Sequence, residues 1–387
     1  MKKNKIAYLI PSLNFFSGME RVLTLKANYL VEHYGYDIHI IITEGNESSF
    51  KLHKDIKIHQ LNVNFDELSE MPLYKKLIFY KIKMRQLQKR LNECLCQLKP
   101  DITISMLRRD INCINYTKDG SLKLGEIHFN KNNYRDFDRK KMPIFLYKKI
   151  RKLWMLSLIK ELKKLDRFIV LSHEDKAEWH ELKNLEVIYN PLSFFPDQTS
   201  TCENKQVIAV GRFVPQKGFD LLIKAWAIVH KQHPEWKLRI YGYGEKEPYL
   251  NLINDCNIGE SCILEKTVEN IIEKYCESSI FVLSSRYEGF GLVLVEAMAC
   301  GIPPVSFECP CGPKEIIKNG IDGFLVEKEN INQLAEKIIL LIENEELRKQ
   351  MGAKARKNVA RFKIDNIAEE WHCLFSQLIK EKNGYKE

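Results

Sequence analysis

The sequence predicts an α/β protein of two doubly wound domains, and three observations carry that expectation. Short apolar, β-branched runs alternate with longer stretches of helical period, the arrangement of parallel sheets flanked by helices. The 387 residues exceed one ordinary core and suit two domains. Several strand-like runs break into glycine loops that open helices, the turn at which such sheets receive phosphate. The expected division is an N-terminal domain over 1–192, a second over 193–360, and a terminal helical segment over 361–387.

Residues 5–12 form an apolar run ending in the polar loop NFFSGMER, ahead of a helical pattern from Val22 to Glu32. Strand, glycine loop and helix stand in the order of a phosphate-binding turn, with Gly18 as its candidate contact; by spacing alone Gly18 serves a simple tight turn equally well. The opening MKKNKIAYLIPSL starts basic, but Pro11 and Asn14 interrupt its apolar run and no small-residue cleavage site follows. It reads as a first strand and not as a leader.

Further β-rich runs cover 36–43, 57–63, 101–107, 122–128, 167–172 and 186–189. His128 ends the fifth of the apolar runs, in GEIHFN. Strand ends meet ligands at the carboxyl edge of such sheets, so His128 is either a ligand contact or a hydrogen-bonded structural histidine. Two segments here are strongly basic: 131–167 holds thirteen Lys or Arg against four Asp or Glu, and 71–99 holds eight against one. Aromatic and aliphatic residues interleave with the charges, as in FLYKKIRKLWMLSLIKELKKL. These are amphipathic helices suited to anionic lipid, or solvated charged faces. No nucleic-acid module is recognisable, and nucleic acid is not expected as a partner.

Asn190, Pro191 and Pro196 mark a break, and TSTCENKQ is a polar linker. The second half opens with a strand over 207–210 that runs into GRFVPQKGFDLLIKAW. There Arg212 offers a planar fork for phosphate oxygens and Lys217, beside Gly218 and a helix start, a mobile point charge; alone, either is an ordinary surface residue. A strand over 237–241 stops at GYGE, and SCILEKTVENI follows as strand and loop.

The apolar run 280–283 leads into SSRYEGFGLVLVEAMACGIPPV, residues 284–305. Gly289 and Gly291 bracket Phe290 in a loop that opens a helix, so uncovered amides and the positive end of a helix dipole mark an anion site. Glu288 and Glu296 stand eight residues apart around it. Carboxylates accept hydrogen bonds from sugar hydroxyls but repel phosphate, so phosphate is expected at the amides with sugars on either side. A nucleotide sugar has that composition. The chain then continues through FECPCGPKEII and DGFLV, a helix over 332–344, and a last helical stretch over 364–381 with Trp371 and Phe375 on one packing face.

Composition narrows the classes. The chain is 45% hydrophobic and 29% charged, a soluble globular balance, and no apolar run approaches the roughly 20 residues of a membrane span. Eleven cysteines are scattered without zinc or redox spacing, so reduced thiols in a cytoplasmic enzyme, peripheral on the inner membrane face, are expected. The histidines form no ligand grouping, so no structural metal and no cofactor are expected.

The stretch from Arg286 to Val305 resembles the two-glutamate signature of retaining glycosyltransferases of family 4, EGFGLxxxEAMAxGxPVV, departing from it at Pro304. The GRFVPQKG segment resembles that family's GRxxxxKG, and the loop at Gly18 its GGxER, with Ser17 or Met19 replacing a glycine. Tyr243 in GYGE replaces the family's usual acid, and Glu265 or Lys266 stands where a glycine is usual, which leaves the nucleotide base less defined than its phosphates. The resemblance is strong over 205–345 and weaker before it.

It implies the GT-B architecture of two Rossmann-like domains facing a cleft, the last helix crossing back to the first domain. It implies metal-independent transfer, with retention, of a hexose or N-acetylhexosamine from a nucleotide sugar, UDP-linked, to a glycan acceptor. Arg212 and Lys217 would neutralise the leaving diphosphate, Glu288 would orient the donor sugar, Glu296 would hold the ribose, and His128 would face the sugar. The basic helices extend the expectation to a lipid-linked acceptor in bacterial capsule, O-antigen, lipopolysaccharide or exopolysaccharide synthesis. Three other readings remain: a metal-dependent transferase using Asp136 and Asp138, a GT-B epimerase or phosphorylase, and a non-enzymatic membrane-surface protein.

Overall fold

The computed structural model describes residues 3–14, 18–45, 48–68, 70–134 and 143–384. The chain forms two compact units, one of residues 1–191 with 364–387, the other of residues 192–363.

Unit 1 follows the alternation read from the sequence. Its elements are β1 (Lys5–Ile10), α1 (Gly18–Tyr34), β2 (Asp37–Ile42), β3 (Lys57–Gln60), α2 (Leu73–Leu98), β4 (Ile102–Ser105), α3 (Ile111–Ile114), β5 (Leu122–Glu126), α4 (Ile144–Leu162), β6 (Arg167–Val170), α5 (His173–Glu178) and β7 (Leu185–Val187). The seven strands pair in parallel in the order β3-β2-β1-β4-β5-β6-β7. Strands such as KIAYLI and DIHIII are nearly continuous apolar runs because helices cover both faces of such a sheet. The fifth run was expected to reach His128, but β5 stops at Glu126 and leaves His128 in the loop at its carboxyl end.

Unit 2 contains β8 (Gln206–Val210), α6 (Phe219–Gln232), β9 (Lys237–Tyr241), α7 (Glu247–Asp255), β10 (Cys262–Glu265), α8 (Ile271–Cys276), β11 (Ile280–Leu283), α9 (Leu292–Ala299), β12 (Pro304–Phe307), α10 (Pro313–Ile316), β13 (Phe324–Val326), α11 (Ile331–Glu343) and α12 (Glu345–Val359). Its six parallel strands run in the order β10-β9-β8-β11-β12-β13. Asn344 ends α11 and starts α12, its side chain accepting from the Leu347 amide at 2.9 Å, so one residue with a short polar side chain turns the chain between two helices.

At Ile364 the chain returns to unit 1 as α13 (Ile364–Lys382). Ile367, Ala368, Trp371, Leu374, Phe375 and Leu378 recur at helical spacing and are all buried, in the core shared with β1, α1 and β2. Trp371 and Phe375 thus form the expected packing face.

Candidate functional site

In each sheet the strand order reverses at one point, between β1 and β4 in unit 1 and between β8 and β11 in unit 2. The loops at the carboxyl ends flanking such a point form the crevice in which doubly wound sheets bind ligands. In unit 2 those loops are 211–218 after β8 and 284–291 after β11, which carry all but one of the candidate residues of that half.

The two loops are tied together over a long sequence separation. The Arg286 guanidinium holds Asp220 in a two-pronged pair at 2.8 and 2.7 Å and donates to the Pro215 carbonyl at 2.6 Å. The Arg286 amide donates to the Gln216 carbonyl at 2.8 Å, and the Gln216 side chain donates to the Tyr287 carbonyl at 3.0 Å. Burial works against the Asp220 charge, but Arg286 overrides it and holds the carboxyl below its ordinary range. None of Gln216, Asp220 and Arg286 stood out as a site residue in the sequence, because their partners lie about seventy positions away.

Within this scaffold Lys217 Nζ donates to Glu288 Oε1 at 2.7 Å, and Ser285 Oγ donates to the same oxygen at 2.6 Å. Glu288 is 6% exposed, and the Lys217 side chain is 13% exposed. The sequence assigned these two charges to separate parts of a donor; the structure pairs them, so each fixes the other's position. Arg212 is exposed and has no side-chain partner among the described residues, leaving its guanidinium open to an anion.

Close backbone approach explains two glycines. Gly218 has φ +63°, and a Cβ on it would lie 2.0 Å from the Ser284 carbonyl oxygen. A Cβ on Gly242, after β9, would lie 1.8 Å from the Gly211 carbonyl oxygen. Either contact would push the strand ends apart. Gly218→Ala is accordingly expected to destabilise unit 2 by about 1–3 kcal/mol, the scale of strained backbone, and to lower donor-dependent activity; an unchanged thermal midpoint would refute this.

The loop after β11 also departs from expectation. Gly291, at φ +94°, precedes α9, where a Cβ would only meet Leu294 at 3.8 Å and Leu283 at 4.0 Å, and no side chain caps the helix start. Gly289 is partly exposed beside it. Phe290, a candidate contact within the expected anion loop, is 2% exposed, and its ring packs edge-on against Phe362 at 5.4 Å. Apolar burial has claimed that side chain, and it acts as a core anchor for the loop. Glu296 lies on α9 and is only 2% exposed. Cys309 is 1% exposed, and burial followed by the nearby Glu288 charge pushes its thiol well above the ordinary range.

The other two candidates belong to unit 1. Gly18 is the first residue of α1, and His128 follows β5. His128 Nε2 stands 3.2 Å from Glu126 Oε1, and the other carboxylate oxygen takes a hydrogen bond from Lys26 Nζ at 2.5 Å. Lys26 is fully buried, its ammonium 3.8 Å from the Trp371 ring centroid. Burial would raise the Glu126 carboxyl, but Lys26 and then His128 bring it down to about 2. His128 therefore has an anionic neighbour two positions before it in the chain, held in place by Lys26 from 100 positions away. The Asp136–Asp138 pair lies outside the described residues, and no cluster of three metal-ligating side chains occurs among the described ones.

Comparison with known proteins agrees with this geometry. Residues 194–358 match the model of the family "Glycosyl transferases group 1". An uncharacterized glycosyltransferase of Haemophilus influenzae is 31% identical over 372 residues, covering 95% of this chain and 98% of that protein. An α-1,4-N-acetyl-D-galactosaminyltransferase of Campylobacter jejuni, named for an undecaprenol-diphosphate-linked glycan acceptor, is 27% identical over 97% of this chain and 99% of its own length. Among solved structures, TarM of Staphylococcus aureus, as a mutant in complex with Fondaparinux, α-GlcNAc-glycerol and UDP, superposes with a TM-score of 0.77 at 19% identity, over 96% of this chain and 99% of that one. The fold is thereby the GT-B fold expected from the sequence.

Proposed function

The chain belongs to the group 1 glycosyl transferases, and from that premise we propose that it is a retaining family 4 enzyme moving a hexose or N-acetylhexosamine from a UDP-sugar to a glycan acceptor. The observation that carries this reading is the Lys217–Glu288 pair at the strand-order reversal of unit 2, beside the open Arg212 guanidinium and the start of α9, which no side chain caps. Positive groups fixed before the reaction stabilise charge that develops on a leaving diphosphate without reorganising during it. Lys217 is so fixed by Glu288, and Arg212 adds a planar fork. Glu288 is then also the acceptor for a donor-sugar hydroxyl and Glu296 for a ribose hydroxyl, while the amides at Gly289 and Gly291 donate to phosphate oxygens. Retention rests on the two-glutamate resemblance, in which the leaving phosphate assists attack from its own face of the sugar.

Two cationic side chains make a divalent metal unnecessary for leaving-group stabilisation in this reading. Turnover of the UDP-sugar is expected to survive EDTA; its abolition by EDTA and recovery with added metal would discard the metal-independent form. The donor is tested by a stability screen across nucleotide sugars, in which a ligand at 100 times its Kd stabilises by about 2.7 kcal/mol. No stabilisation by any nucleotide sugar would refute the reading. The acceptor is proposed to be a lipid-linked bacterial surface glycan, as the name of the Campylobacter relative states for that enzyme.

A further inference from the structure

Two helices of unit 1 bury little of themselves. In α2, Leu87, Leu91 and Leu95 enter the core at one-turn spacing, but no residue with a described side chain from Leu73 to Gln86 is buried. In α4 only Leu158, Glu161 and Leu162 are buried. Eleven of the eighteen exposed large apolar residues recorded for the described chain lie on these two helices, Leu77, Phe79, Phe145 (74% exposed) and Leu153 among them. Single exposed apolar residues need no explanation, but such a concentration marks an interaction face.

The same helices carry twelve Lys or Arg against two Glu. Some of that charge is used internally: Lys83 pairs with Glu67 at 2.8 Å, and Arg90 donates to the Leu61 and Asn62 carbonyls at 2.7 Å. Lys75, Lys76, Lys81, Arg85, Lys148 and Lys149 have no ion-pair partner among the described residues. Between the helices runs an open groove of about 380 Å³, with Lys81 and Arg85 on one side and Trp154 on the other.

We propose that this face docks on an anionic lipid bilayer, with a phosphate headgroup seated in the groove against Lys81 and Arg85 and the exposed apolar side chains inserted beside it. The mixture selects the occupant. Unpaired cations beside aliphatic and aromatic side chains match an interface that is anionic at the headgroups and apolar just below. A second copy of this face would set like charges against each other, and a nucleic acid would leave the apolar residues in water. This reading deepens the lipid-linked acceptor proposed above and rests on it for its purpose, while its test needs neither donor nor acceptor.

The full chain is sedimented with phosphatidylglycerol or phosphatidylcholine vesicles at low salt, alongside Lys81→Gln/Arg85→Gln, two exposed changes whose folding is checked by thermal midpoint. Binding to the anionic vesicles alone is expected, reduced about thirty-fold in the double variant, each basic residue near such a surface contributing about fivefold. Tryptophan emission should shift to the blue with those vesicles, and Trp154→Phe should remove most of the shift. Equal binding to both vesicles, no binding, or binding unchanged in the double variant would overturn the proposal. Self-association that competes with vesicles and is lost in the double variant would assign the face to a second copy. Vesicle binding with no nucleotide-sugar turnover would keep the surface and discard the glycosyl transfer, and the converse result would do the opposite.

Discussion

Lys217→Ala is expected to lower kcat for a UDP-sugar by about 10²–10³, equivalent to about 2.7–4 kcal/mol, the scale for removing one fixed group that stabilises transition-state charge. The reason lies in what holds the ammonium. Its Nζ is 2.7 Å from Glu288 Oε1, which Ser285 also engages, and the Ser284 hydroxyl donates to the Lys217 carbonyl at 2.9 Å. Position and charge are set before any donor arrives. The substitution also strips a partner from a nearly buried carboxylate, so a lower thermal midpoint should accompany the lost turnover. Steady-state kinetics separates the effects: a KM change with kcat within threefold of the parent would remove Lys217 from the chemistry. Arg212→Ala is expected to act on the same step with little effect on stability, because that side chain is exposed.

In unit 1, Lys26→Met should cost about 3–5 kcal/mol, the scale for breaking a buried ion pair from one side. Glu126 would remain 2% exposed without its ammonium partner, His128 Nε2 standing 3.2 Å from its carboxylate. Chemical denaturation of Lys26→Met beside Lys26→Met/Glu126→Met provides the check. The double variant should recover much of the loss, since what destabilises is the unpaired charge and not the absence of the pair. A single variant within about 1 kcal/mol of the parent would show that the pair is not desolvated in solution. The same carboxylate sets an acid limb. Its folded value of about 2 lies below the ordinary 4.5, so its contribution is complete above 4.5 and is lost as pH falls towards 2. Glu126→Gln should flatten stability over that window.

Much of the fold could be read because its signals are local. Apolar runs such as IFVL and the periodic face of Ile364–Lys382 report burial within one element, and both appear where the period placed them. Strand ends were less accurate: the run through His128 continues in character past Glu126, where pairing to β6 has already stopped. The residues proposed to face the phosphates stand out for a similar reason, since glycine, charge and helix start sit within one loop each.

The sequence by itself determined the α/β class, the two sheets and the family, because period, turn residues and the spacing of Glu288 from Glu296 are properties of short segments. Tertiary structure decided how those residues are used. It joined Lys217 to Glu288 across 71 positions and Lys26 to Glu126 across 100, and it spent the Phe290 ring on the core against Phe362. It also left apolar side chains in the first turns of α2 and α4 exposed to solvent. Each of these outcomes depends on which distant segment packs nearby, and a local pattern contains no term for that. Desolvation then fixes the energetics, because a charge in the interior must find its partner wherever the fold supplies one.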